Sequence, residues 1–261
     1  MFNYFTNVIV IIFLGYAIVF PFFFWITPLS KIESGFYRFN LGKCCIVASL
    51  GLIGYYLISP ALNSLLLLWF SMLMLFTAIH WKAIKINNAI LSFISIFGCF
   101  AFKNSLNYIA PDISSWGGLL SILLGSGINA GVFFSMILGH WYLNVVTLPI
   151  RLLNNSVLIL SIIIFLRIIW NIFYFSTTKL TDSFGLEQNI WSFMLSFEGF
   201  LLMVAFFMGN LFPTLLNYFT WKTLKLQATQ SATGLLYVSI ISILFGDIIF
   251  KYYLLQYGLL I

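Results

Sequence analysis

The run Trp116–Asn144, WGGLLSILLGSGINAGVFFSMILGHWYLN, decides the fold class. From Gly117 to Gly139 it carries no charge, and it exceeds the ~20 apolar residues that a helix needs to cross a bilayer. Gly127, Ala130/Gly131, Ser135 and Gly139 recur at about every fourth position, which stacks them on one helix face. Such a stripe lets neighbouring helices approach closely in lipid. Polar groups are few: Asn129 in the middle and His140, one of two histidines, near the end. The pattern is that of a helix packed deep inside a membrane bundle.

The rest of the chain agrees. Hydrophobic residues make up 62% of it and charged residues 7%, with a mean hydropathy of +1.07. A soluble domain carries about 25% charged residues, so this composition cannot cover a water-facing surface. The apolar segments are apolar all round rather than alternating, which excludes a transmembrane β-barrel. The fold class is therefore all-α: a polytopic integral membrane helical bundle of about eight transmembrane helices with short loops, residues 1–261 forming a single transmembrane domain. Twelve basic against six acidic residues give a charge of +6, too little for a nucleic-acid surface; the basic residues set topology instead. Cys44, Cys45 and Cys99 lie in or beside apolar segments without metal-ligand spacing and read as packing residues. The N-terminus lacks the basic region and small-residue cleavage site of a signal peptide, so the first segment reads as a retained anchor.

Eight apolar segments are expected at about 7–25, 44–57, 61–81, 88–102, 116–144, 156–175, 190–212 and 232–255. Pro21 kinks or ends the first. The seventh carries Glu198 and stops before Pro213, and the following PTLLNYFTWKTLKLQATQSAT lies along the membrane interface. With the first loop inside, Lys31, Arg38, Lys43, Lys82, Lys85, Arg151, Lys222 and Lys225 fall inside, and Lys103, Lys179 and Lys251 outside. That excess places both termini outward. No internal repeat supports an inverted-repeat transporter.

Charges within spans are costly and call for a reason. Arg167, Glu198 and Asp247 fall on three consecutive spans, all in the outer half, with Asn171 one turn from Arg167. They are the candidates for a quinone or proton pathway: a carboxylate accepts a quinol proton, and Arg167 holds its partner ionised or polarises a quinone carbonyl. The alternative is structural. Arg167 then pairs with a carboxylate to lock the spans, and Asp247 pairs with Lys251 four residues on. His80 and His140, each followed by Trp, end the third and fifth spans at similar depth. Two facing imidazoles would ligate a single b-type haem; the alternative is a pair of interfacial anchors. Asn129 bonds either a ligand or another helix. No Walker loop, Gly-x-Ser-x-Gly, His-Glu-x-x-His or Cys-x-x-Cys motif occurs, so no self-contained catalytic or metal site is signalled.

In helix count and placement of buried charge, the chain resembles the NrfD-type membrane subunits of quinone-linked oxidoreductases. The likeness implies an integral subunit of a larger respiratory-type, electron-transfer complex in a bacterial inner membrane, with quinone as its small-molecule partner and the lipid bilayer and other membrane subunits around it. A small transporter or channel, and a purely structural or assembly subunit, are the alternatives.

Overall fold

The computed structural model describes residues 4–59, 63–82, 86–145, 148–181 and 187–261. Among them, seven helices are long and apolar enough to cross a membrane, which establishes an all-α polytopic bundle and an integral membrane protein. The elements are α1 (Phe5–Val19), α2 (Ser34–Ile58), α3 (Ser64–Ile79), α4 (Asn88–Ile109), α5 (Trp116–Asn144) and α6 (Arg151–Thr177), then strands β1 (Lys179–Thr181) and β2 (Glu187–Asn189). Short α7 (Ile190–Met194), α8 (Phe200–Phe206), α9 (Phe212–Lys225) and α10 (Thr229–Tyr257) complete the chain. At 16 residues α3 spans only ~24 Å, short of the ~30 Å hydrocarbon core. It is an eighth apolar helix, shorter than the other seven.

The bundle is built around α5, whose apolar stretch is 78% buried, more than that of any other candidate span. It packs against α10, α6 and α1; α1 also packs on α2, and α3 on α4. The small-residue stripe is a packing surface: Gly131 faces Phe23 and Leu160, and Gly139 faces Thr233. Exposed Ile, Leu and Phe side chains on α2, α3, α4 and α6 face outward, as lipid-facing surfaces must. A smaller apolar cluster, including Phe175, Phe193, Leu202 and Tyr253, caps one end beside the β1–β2 hairpin. The three cysteines are free, with Cys44 and Cys45 buried.

Several boundaries differ from the sequence expectation, each for a physical reason. After Pro21, α1 tightens into a 3-10 turn, Phe20–Ile26, instead of ending. Helix α2 begins at Ser34, ten residues early, because Phe36, Tyr37 and Leu41 bury against the core and Tyr37 Oη donates to Thr27 O at 2.6 Å. Lys43 thus lies within α2, not in a loop. Helices α4 and α6 likewise extend to Ile109 and back to Arg151. Lys85 and the turn at 60–62 lie outside the described residues.

The largest departure is the seventh span. It does not run unbroken from Ile190, because Ser196 Oγ donates to Phe193 O at 2.7 Å and accepts from Gly199 N at 3.1 Å. Those local bonds compete with the helix ladder, and the chain turns over Leu195–Gly199 before restarting as α8. Nor does it stop at Pro213. A π-helical turn at Phe207–Leu211 joins α8 to α9, making one span, Phe200–Lys225, with no interfacial segment. In the π register the acceptor opposite residue 213 is Met208 O, and proline has no N–H to offer it. Ser242 Oγ of α10 donates to that carbonyl instead. The helix passes Pro213 because a neighbouring side chain satisfies the freed carbonyl.

Candidate functional site

The buried charges gather between α5, α6 and α10. Arg167 and Lys251 are each 2% exposed and Asp247 4%. Asp247 Oδ1 pairs with Lys251 Nζ one turn on, and its Oδ2 accepts from Asn129 Nδ2 at 2.6 Å. Arg167 Nη1 donates to Ser121 O, and to Ser121 Oγ at 3.2 Å; the Phe250 ring lies 5.2 Å from its guanidinium carbon. Ser121 Oγ donates onward to Ile261 O at 2.7 Å. Two cations against one carboxylate leave the centre one positive charge in excess.

Glycine makes the room. A Cβ on Gly125 would sit 2.5 Å from Asp247 Oδ1 and 3.1 Å from Lys251 Nζ, so only glycine at this place on α5 admits the pair. A cavity of ≈ 10 Å³ lies among Gly125, Arg167, Asn210 and Asp247, about the space of one water. Asn210, in the π turn, and Asn171, one turn from Arg167, are fully buried, and neither amide has a partner among the described residues. Unpaired buried amides are costly.

Asp247 is not near the end of its helix, because α10 runs on to Tyr257. It lies ten residues, ~15 Å, before that end, and Arg167 lies equally far from the end of α6. Lys251, expected outside, is one of the buried ions. Glu198 is not brought to them. It is exposed in the turn before α8, and its backbone carbonyl accepts from Tyr253 Oη. Arg167 therefore pairs with Ser121 rather than with Glu198, while the expected Asp247–Lys251 pairing is present.

The histidines are not brought together either. His80 caps α3, its Nδ1 donating to Phe76 O at 3.0 Å with the ring stacked on Phe76. His140 is exposed on α5. Helix α3 packs on α4 and α2, and α5 packs elsewhere. No cluster of three or more His, Cys, Asp or Glu occurs among the described residues.

Sequence reasoning missed one further group. A second cavity, ≈ 180 Å³, is lined by Ile12, Phe13, Tyr16, Lys43, Val47, Asn129, Phe133 and Leu244. Lys43 Nζ lies 4.1 Å from the centre of the Phe20 ring and 5.4 Å from that of Tyr16. Lys43 Nζ, Tyr16 Oη and Asn129 Oδ1 are all buried with no hydrogen-bond partner among the described residues. Asn129 lines this cavity and reaches the first through its bond to Asp247. The available signal was a lone lysine before Cys44–Cys45 in an otherwise apolar run. No protein-family model, no curated protein and no solved structure matches the chain.

Proposed function

We propose that the chain is an integral subunit of a larger respiratory-type membrane complex and handles quinone-linked protons at the Arg167–Asp247–Lys251 centre. The supporting observation is that three ionisable side chains are buried together between α5, α6 and α10, two of them lining a small cavity with the unpaired amide of Asn210. Intramembrane ions in such positions mark proton or substrate pathways. Asp247 is the proton-accepting group, Lys251 and Asn129 hold it in place, and Arg167 supplies the compensating field. A quinol gives up its two electrons to a redox group of a partner subunit, and its protons leave by way of Asp247. The short connections leave no large extramembrane unit among the described residues, which supports a partner-dependent role. The distribution of lysine and arginine supports an orientation with both termini outward; a bacterial inner membrane is part of the proposal.

One observation favours a second reading. Asp247 and Arg167 are bonded within the protein, as in a structural pin between α5, α6 and α10. The two readings separate on purification. A tagged chain extracted gently from its native membrane should bring with it subunits carrying redox groups. A chain that purifies alone, or only with subunits lacking them, overturns the respiratory assignment.

A further inference from the structure

The lateral cavity beside Asn129 has the chemistry of a headgroup site. Its walls are mainly apolar, with the rings of Phe13, Tyr16 and Phe133 among them, and Phe13, Val47, Phe133 and Leu244 are only half-buried, so it opens toward the lipid-facing side of the bundle. At ≈ 180 Å³ it is smaller than the ~300 Å³ and upward of drug-sized pockets. That suits a ring rather than a whole lipid.

Its polar atoms are specific. Lys43 Nζ and Tyr16 Oη are donors without acceptors, and Asn129 Oδ1 is an acceptor without a donor. A lysine ammonium over aromatic rings is only partly compensated by them. The other half of the Asn129 amide is committed to Asp247, so its orientation is fixed and Oδ1 faces the cavity. A carboxylate headgroup would satisfy the two donors and leave Asn129 Oδ1 bare. A headgroup whose oxygens alternate between carbonyl and hydroxyl satisfies all three: the carbonyl accepts from Lys43 or Tyr16, and the hydroxyl donates to Asn129.

We infer that this cavity, lined by Tyr16, Lys43, Asn129 and Phe133, binds the ring of a lipid-soluble quinone or quinol, with Asn129 linking the bound ring to Asp247. The inference rests on the quinone-handling reading above and adds the place and its polar contacts. The ring enters from the lipid past the half-buried Phe13, Val47, Phe133 and Leu244, and the Asn129 amide is the one residue between its hydroxyl and the buried carboxylate.

The test is equilibrium binding of decyl-benzoquinone to the full chain in nanodiscs, with palmitate as a second probe. Saturable quinone binding is expected, weakened at least tenfold by Lys43→Met and lost in Val47→Trp, which fills the cavity. Tyr16→Phe should weaken it less, and Lys43→Arg should restore part of it. Melting temperatures of each variant separate lost binding from lost folding, and Lys43→Met and Tyr16→Phe serve if Val47→Trp does not fold. Quinone binding indifferent to Lys43→Met and Val47→Trp overturns the assignment, as does palmitate binding that depends on Lys43 without quinone binding. Quinol turnover by the native complex separates the two levels. Turnover that survives Val47→Trp sinks this cavity alone, whereas a wild-type complex without quinol turnover sinks the parent reading.

Discussion

Asp247→Asn should cost far more stability than Lys251→Met, although each breaks the same ion pair. The wild-type centre holds Arg167, Lys251 and Asp247, all buried, with one positive charge in excess. Asp247→Asn leaves two facing cations without a carboxylate and deprives Asn129 Nδ2 of its charged acceptor. Removing one partner of a buried pair costs about 3–5 kcal/mol. Lys251→Met leaves Arg167 and Asp247 around the same small cavity with no net charge, and Asn129 still bonds the carboxylate. Its cost reduces to one charge-assisted hydrogen bond, about 1.5–3 kcal/mol. The double variant Asp247→Asn/Lys251→Met restores the native excess of one positive charge, so it should cost less than the sum of the singles by about 1–3 kcal/mol. Unfolding by SDS in mixed micelles measures all three. A Lys251→Met variant as damaged as Asp247→Asn, or a double variant equal to the sum, would refute the charge argument.

Three further outcomes follow from the geometry. Gly246 on α10 meets Gly209 backbone to backbone, so Gly246→Ala should destabilise by about 1–3 kcal/mol. On the same helix Gly234→Ala, with open space around it, should be neutral or stabilising by up to ~1 kcal/mol, and the same micelle unfolding compares the two. Ser242→Ala leaves Met208 O unpaired and should cost about 1–3 kcal/mol; the cost should shrink in a Pro213→Ala background, where residue 213 regains its N–H. The exposed Lys179–Glu187 pair, 2.9 Å apart across β1 and β2, holds the Glu187 carboxyl below its ordinary 4.5 and the Lys179 ammonium above its ordinary 10.5, chiefly through their shared hydrogen bond. The contribution of Glu187 is present above 4.5 and fades as pH falls through its lowered pKa, and that of Lys179 is present below 10.5 and fades as pH rises through its raised one. Amide protection in Lys179–Thr181 and Glu187–Asn189, corrected for the intrinsic pH dependence of exchange, should therefore be greatest at intermediate pH, and a pair contributing nothing would show no acid-side loss.

The fold class was readable because hydropathy alone settles it. The central place of α5 was readable from its glycines and its lack of charge. Boundaries were read less well, since hydropathy measures transfer into lipid and not the helix ladder. The start of α2 at Ser34 depends on tertiary burial of Phe36 and Tyr37. The break at Leu195–Gly199 depends on one serine and one glycine inside an apolar run. Passage through Pro213 depends on Ser242, 29 residues later in sequence. The same limits acted on the site. Arg167 and Asp247 were visible as charges in apolar helices, but a misplaced helix end put Lys251 outside and a missed turn put Glu198 inside. Lys43 was read only as a loop residue that sets topology, and Asn210 and Tyr16 drew no notice, because an unpaired polar atom becomes visible only when its neighbours are known.

The measurement closest to the central claim is quinol turnover by the native complex carrying Asp247→Asn/Lys251→Met, normalised to the amount of assembled complex. The variant keeps the net charge of the centre while removing its proton-accepting carboxylate together with the lysine paired to it. A proton-handling role predicts normal assembly with turnover reduced about 100-fold or more, the scale of a lost acid–base group. Normal assembly with unchanged turnover would contradict it and leave Asp247 as a structural pin.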